Sequence, residues 1–170
     1  MEVFIQNLKS YNDGIILGGW YRLGDTEENL QNFIERKVSF GGVKNPCVFI
    51  SDYEQDDILY CPSECEDIFE LNELVRQFYK LDSAEQEKVN AIMEAGFYYD
   101  LELAMEHRNS YALDTDIQSE EDFGHFLIDE LESCQVPDFI KSYIDYEAFG
   151  RDEQINSNGA FTMFGYLEEV

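Results

Sequence analysis

The chain opens Met1-Glu2-Val3-Phe4-Ile5-Gln6-Asn7-Leu8-Lys9-Ser10-Tyr11-Asn12-Asp13-Gly14-Ile15-Ile16-Leu17-Gly18-Gly19-Trp20-Tyr21. Val3 to Asn7 and Ile15 to Tyr21 are rich in β-branched and aromatic residues and read as strands. Tyr11-Asn12-Asp13-Gly14 between them supplies turn formers. A helix should follow, with Asp25 and Glu28 as an Asp-x-x-Glu variant of the capping box and Leu30, Phe33, Ile34 and Val38 on one apolar face. Gly41-Gly42 breaks the chain before a third strand, Cys47 to Tyr53, and the polar residues after Pro62 make the first boundary.

Helical periodicity takes over in the middle of the chain. Ile68, Leu71, Leu74, Val75 and Phe78 recur at three and four residues, one stripe facing a core. Ser83 with Gln86 caps a second helix, whose Val89, Ile92 and Met93 face inward before Gly96 ends it. A short helix from Asp100 to His107 completes the group. Tyr111 to Asp114 is then extended, and Ser119 starts a helix through Cys134. At 100° per residue, Phe123, Phe126, Leu127, Leu131 and Cys134 fall together on that helix, opposite Glu121, Asp122, Asp129 and Glu132. Pro137 sits at a first helical position, and a run to Ile144 continues into Asp145 to Asp152. Gly159 to Tyr166 alternates aromatics as a closing strand. The fold class is α+β in three small domains: an N-terminal sheet plus helix (1–61), a central short-helix group (62–109) and a C-terminal sheet plus helices (110–170).

Over this pattern lies an acidic charge. The 170 residues carry 37 Asp or Glu and 11 Lys or Arg, a formal net charge of −26. Residues 1–60 contribute −5, residues 61–110 contribute −8 and residues 111–170 contribute −13, from 15 acids and two bases. Between Arg108 and Lys141 lie 32 residues with nine acids and no Lys or Arg. Such a polyanion is repelled by nucleic acid and by anionic membranes. It is not a disordered tail, because 44% of its residues are hydrophobic and 15% aromatic. The start of the chain lacks the basic and apolar regions of a signal peptide, so a cytoplasmic protein is expected. There Cys47, Cys61, Cys65 and Cys134 should be buried free thiols.

The residues offer little to an enzyme. Neither histidine stands beside a serine or cysteine nucleophile, and no phosphate-binding Gly-rich loop is present. Cys61 and Cys65 lack the second tight pair of a zinc site, and Asp114-Thr115-Asp116-Ile117-Gln118 lacks the glycine and distal glutamate of a calcium loop. No catalytic residue, metal or cofactor is expected. The charge itself remains. Acids at i and i+4 of a helix are about 6 Å apart along the axis, close to the spacing of phosphates on one DNA strand. At one charge per about 1.7 Å of duplex, 26 charges correspond to roughly 44 Å of DNA, and a dimer to roughly 90 Å.

Tyr143-Ile144-Asp145-Tyr146-Glu147-Ala148-Phe149-Gly150-Arg151-Asp152 closely resembles the Y-I-D-Y-x-A-(Y/F)-G-R-D segment of the ArdA antirestriction proteins. Asn7, Leu8, Tyr11, Asn12, Gly14, Gly18 and Trp20 are similar to that family's N-L-x-x-Y-N-x-G-x-x-x-G-x-W opening. The resemblance implies an elongated row of three small domains that mimics DNA, dimerises through the C-terminal domain and occupies the DNA-binding groove of type I restriction-modification enzymes. The carboxylates to stand for phosphates are then Asp114, Asp116, Glu120, Glu121, Asp122, Asp129, Glu130, Glu132 and Asp138, with Glu66, Asp67, Glu70 and Glu73 extending the track. Within the motif, Tyr143, Ile144, Tyr146 and Phe149 are expected to pack in a core, and Arg151 to pair with Asp145 or Asp152. Phe123, Phe126 and Phe164 are placed at the dimer interface. The rival assignments are an acidic adaptor for another basic DNA-binding protein and a halophile enzyme with a merely solvated acidic surface.

Overall fold

The computed structural model describes residues 1–39, 46–55, 57–131 and 136–170. The chain is α+β and divides into two compact units, Met1–Gln86 and Glu87–Val170. The division falls inside a helix.

In the first unit β1 (Glu2–Asn7) is the central strand of an antiparallel sheet, between β2 (Gly18–Arg22) and β3 (Val48–Glu54). Val3 and Ile5 are fully buried, as a central strand requires. The register against β3 slips between Phe4 and Ile5, which pair with Asp52 and Ile50, so Ser51 is an extra residue of a bulge. The connection from β1 to β2 is not the simple turn expected. Asn7 accepts from the Ser10 N–H at 2.9 Å and so caps a short helix, α1 (Leu8–Asn12), which Asp13 and Gly14 close. Ile15 and Ile16 are therefore exposed, and the strand starts later, at Gly18.

Helix α2 (Glu27–Phe33) is capped by Thr26, whose hydroxyl accepts from the Asn29 N–H at 3.3 Å. Asp25, the expected cap, lies one residue outside and accepts from the Thr26 N–H and the Asn29 amide. A π-helical turn, Ile34–Val38, continues α2 and keeps Leu30, Ile34 and Val38 buried. Gly41-Gly42 lies outside the described residues. Helix α3 (Ile68–Phe78), capped by Asp67, buries Ile68, Leu71, Val75 and Phe78 as the stripe predicts, with Leu74 at the margin. Asn72 joins it to the preceding segment: its side chain accepts from the Gly24 N–H at 2.9 Å and donates to the Asp25 carbonyl at 2.8 Å. The expected central helix thus shares the first unit with the sheet. Cys47, Cys61 and Cys65 are free thiols but exposed, because they flank β3 and lie in the loop before α3; Cys134 lies outside the described residues.

Helix α4 (Ser83–Glu94) runs across the division. Asp82, not Ser83, supplies its cap by accepting from the Glu85 N–H at 2.9 Å. At its end Gly96 takes φ 77°, and the bonds Phe97 N–H to Ile92 carbonyl and Gly96 N–H to Met93 carbonyl complete a Schellman motif. Helix α5 (Leu101–His107) follows, capped by Asp100. The second sheet is antiparallel, with β6 (Gly165–Glu169) between β4 (Tyr111–Asp114) and β5 (Ala160–Thr162). The expected closing strand is in fact a hairpin, turning at Met163-Phe164 with Gly165 at φ 133°.

Helix α6 (Glu120–His125) lies on this sheet and Phe123 packs into its core with Ile117 and Tyr166, at 4.4 Å between the rings of Phe123 and Tyr166. The α-helical periodicity then fails. Residues Phe126–Glu130 form a π turn, in which the Leu131 N–H bonds the Phe126 carbonyl five residues back. The wider turn shifts the inward face, so Ile128 is buried while Leu131, expected inside, is 57% exposed. Helix α7 (Asp138–Lys141) is one turn long and starts after Pro137, which is its cap and not its first residue. The run does not continue into the motif, because Asp145 caps a new helix, α8 (Tyr146–Asn156). Helices α6 and α8 cross through two glycines. A Cβ on Gly124 would strike the Tyr146 carbonyl oxygen, and one on Gly150 would strike the Glu120 carbonyl oxygen.

Candidate functional site

The expected acids of the second unit gather where β4 ends and α6 begins. Three of them, Glu120, Glu121 and Asp122, occupy the first turn of α6, where the N-terminal end of the helix favours negative charge. Asp122 is held in place from two sides. Ser119 Oγ donates to Asp122 Oδ2 at 2.7 Å while accepting from the Asp122 N–H at 3.1 Å, and the Gln118 N–H donates to the same carboxylate at 3.2 Å. Asp114, at the end of β4, accepts from the Asp116 N–H at 3.0 Å and so shapes the connecting turn. Asp114, Asp116, Asp122 and Glu130 thereby line one surface depression of about 430 Å³, together with Ile117, His125 and Phe126.

The hydrogen bonds from Ser119 and Gln118 hold the Asp122 carboxyl below the usual carboxylate range. A folded-state value below the unfolded one means that this group adds stability above its unfolded pKa and loses it as pH falls through the folded value. Asp122→Asn is expected to flatten the acid limb of a thermal-midpoint titration between neutral pH and about pH 3. An acid limb identical to that of the unsubstituted protein would show that the cap carries no such linkage.

The remaining acids differ in how far they are neutralised. Both oxygens of Asp129 are engaged, Oδ1 by Lys141 Nζ at 2.8 Å and Oδ2 by His125 Nδ1 at 3.0 Å, and these bonds hold its carboxyl low. Asp138 is fully exposed at 4.0 Å from Lys141, and Glu120 lies 3.9 Å from Arg151. Asp116, Glu121 and Glu130 make no ion pair among the described residues, and Glu132 lies outside them. In the first unit Glu66 accepts from the Tyr60 hydroxyl at 2.7 Å and the Ser63 N–H at 2.9 Å, Asp67 caps α3, and Glu73 is bonded to Arg76 and Gln77. Glu70 alone of that group is exposed with its carboxylate unpaired among the described residues. Counted by unit, Met1–Gln86 holds 17 acids and seven bases, net −10, and Glu87–Val170 holds 20 acids and four bases, net −16. The second unit cannot neutralise its surface internally.

A family model described as Antirestriction protein (ArdA) matches residues 3–168. The chain belongs to the ArdA antirestriction family. A comparison with curated proteins returns no match. Membership makes this ArdA chain an antirestriction protein, an inhibitor and not an enzyme, whose partner is a restriction enzyme. Among the described residues no three His, Cys, Asp or Glu side chains are placed to hold a metal, and no helix is long and apolar enough to cross a membrane.

The ArdA motif does something other than the core packing expected of its aromatics. Tyr143 is 86% exposed, and Ile144, Tyr146 and Phe149 are only half-buried. The fully buried member is Gly150, which lets α8 reach α6, while Asp145 caps α8 by accepting from the Ala148 N–H at 3.0 Å. Tyr146 stacks on His125 with ring centroids 3.7 Å apart and planes 13° from parallel. Arg151 turns toward Glu120, not toward Asp145 or Asp152. Phe123, assigned to a dimer interface, is 4% exposed within its own core and unavailable for one. Three further exposed acids on α8, Glu147, Asp152 and Glu153, are not among those expected to stand for phosphates. The segment free of bases ends at Lys141, so a search bounded by it stops short of them.

Proposed function

We propose that this antirestriction protein inhibits type I restriction-modification enzymes by mimicking duplex DNA, its carboxylates taking the place of phosphates in the enzyme's DNA-binding groove. The supporting observation is the arrangement of α6 and the turn before it. Asp114, Asp116, Asp122 and Glu130 line one depression, and Asp116, Glu121 and Glu130 carry charges that no cation of the described chain balances. A groove lined by Lys and Arg attracts such a surface at long range, so association is fast and weakens with salt. Inhibition is stoichiometric and involves no turnover. The active form is a homodimer joined through the C-terminal segment, where Phe139 and Tyr143 expose large aromatic surface.

The test is an equilibrium competition on a purified type I methyltransferase bound to a fluorescent duplex carrying its recognition sequence. The protein is expected to displace the duplex competitively, with an apparent affinity that falls as salt is raised. In cells it is expected to raise the plating efficiency of unmodified phage on a type I restricting host. Failure to compete with duplex on enzymes of several type I families, with no gain in plating, would overturn the proposal.

A further inference from the structure

We propose that Lys141 and Arg151 are positioning residues that fasten α6 and its π turn, so that the acidic surface is presented in one arrangement; the inhibitory half of this statement rests on the DNA-mimic reading above. They are the only two basic residues between Asn109 and Val170, in a stretch that carries 15 acids. Both are directed to the same element. Lys141, at the end of α7, reaches Asp129 of the π turn at 2.8 Å, and Arg151, on α8, reaches Glu120 of the first turn of α6 at 3.9 Å. The two contacts therefore hold the acidic helix near both of its ends.

The surroundings favour Lys141 as the stronger of the two. Its side chain is two-thirds sheltered, and the Asp129 bond pushes its ammonium above the ordinary lysine range. Asp129 is itself held by His125, whose ring is stacked on Tyr146 at the start of α8. Lys141, Asp129, His125 and Tyr146 thus form a continuous chain of contacts from α7 through the π turn to α8. Glu130, next to Asp129, and Asp122, two turns before it, are the acids of the depression whose placement this chain controls.

Charge and position make opposite predictions, which gives the test its force. Lys141→Gln takes the net charge from −26 to −27, so an inhibitor that worked by total charge would improve. Fastening predicts the reverse. In the duplex competition Lys141→Gln should inhibit up to about five-fold more weakly than the unsubstituted protein. Lys141→Arg should restore inhibition. Lys9→Gln, which makes the same charge change on exposed α1, should inhibit equally or more tightly. Hydrogen exchange of the amides of residues 120–130 should quicken in Lys141→Gln and not in Lys9→Gln. A Lys141→Gln protein that inhibits as well as Lys9→Gln, with unchanged exchange at residues 120–130, would overturn the assignment. If the unsubstituted protein displaces no duplex, the DNA-mimic reading fails, and the exchange comparison still decides whether Lys141 fastens the helix.

Discussion

Gly150→Ala is expected to destabilise the second unit by about 3 kcal/mol or more, the upper end of what overpacking costs. The added Cβ would strike the Glu120 carbonyl oxygen and lie 2.8 Å from the Gly124 nitrogen. Both are helix backbone atoms, so no flexible side chain can swing aside. The helices must separate, and separation lifts Tyr146 from the His125 ring and draws Arg151 away from Glu120. Gly14→Ala is the informative comparison. Gly14 has φ 75° with open space around its missing Cβ, so the substitution costs only the left-handed strain, about 1 kcal/mol. Urea unfolding followed by circular dichroism should separate the two variants clearly. A Gly150→Ala protein within about 1 kcal/mol of the unsubstituted one would mean that α6 and α8 cross less closely than the geometry states.

That glycine illustrates which features the sequence discloses. Local periodicity is legible: β1, β4 and the stripe of α3 fall where alternation and three-four spacing put them. Two π turns are not, because one extra residue in a turn leaves the composition unchanged while moving the inward face from Leu131 to Ile128. Caps at Thr26 and Asp82 each stand next to a second capable residue, and backbone dihedrals, not residue type, choose between them. The same limit applies to the site. Every acid is visible in the sequence, and the Glu73–Arg76 pair could be read from its three-residue spacing. The Asp129–Lys141 and Glu120–Arg151 pairs span 12 and 31 residues, so only the packed structure separates neutralised acids from open ones. In the motif the aromatics draw attention, but the residue with no side chain makes the helix crossing possible.

The distinction between open and neutralised acids leads to the second large effect. The triple variant Asp116→Asn, Glu121→Gln, Glu130→Gln is expected to inhibit on the order of 10–100-fold more weakly at low salt, since each exposed charge contributes at most about 1 kcal/mol. Each single substitution should cost less than about five-fold, because a distributed surface has no indispensable member. Folding should change little: none of the three makes an ion pair among the described residues, and the loss of Glu121 from the first turn of α6 is offset by relief of repulsion within a unit of net charge −16. The matched triple Glu66→Gln, Asp67→Ala, Glu73→Gln removes three charges as well, but takes away the α3 cap and the Arg76 pair. It should lower the thermal midpoint and weaken inhibition less. Duplex competition across a salt series with a parallel melting curve for each variant checks both statements. The open-acid triple should also show a shallower dependence of affinity on salt, because fewer charges meet the groove. Equal inhibition by the open-acid triple and the unsubstituted protein would locate the contact elsewhere, and loss of all inhibition on changing one carboxylate would replace a distributed mimic by a single critical contact.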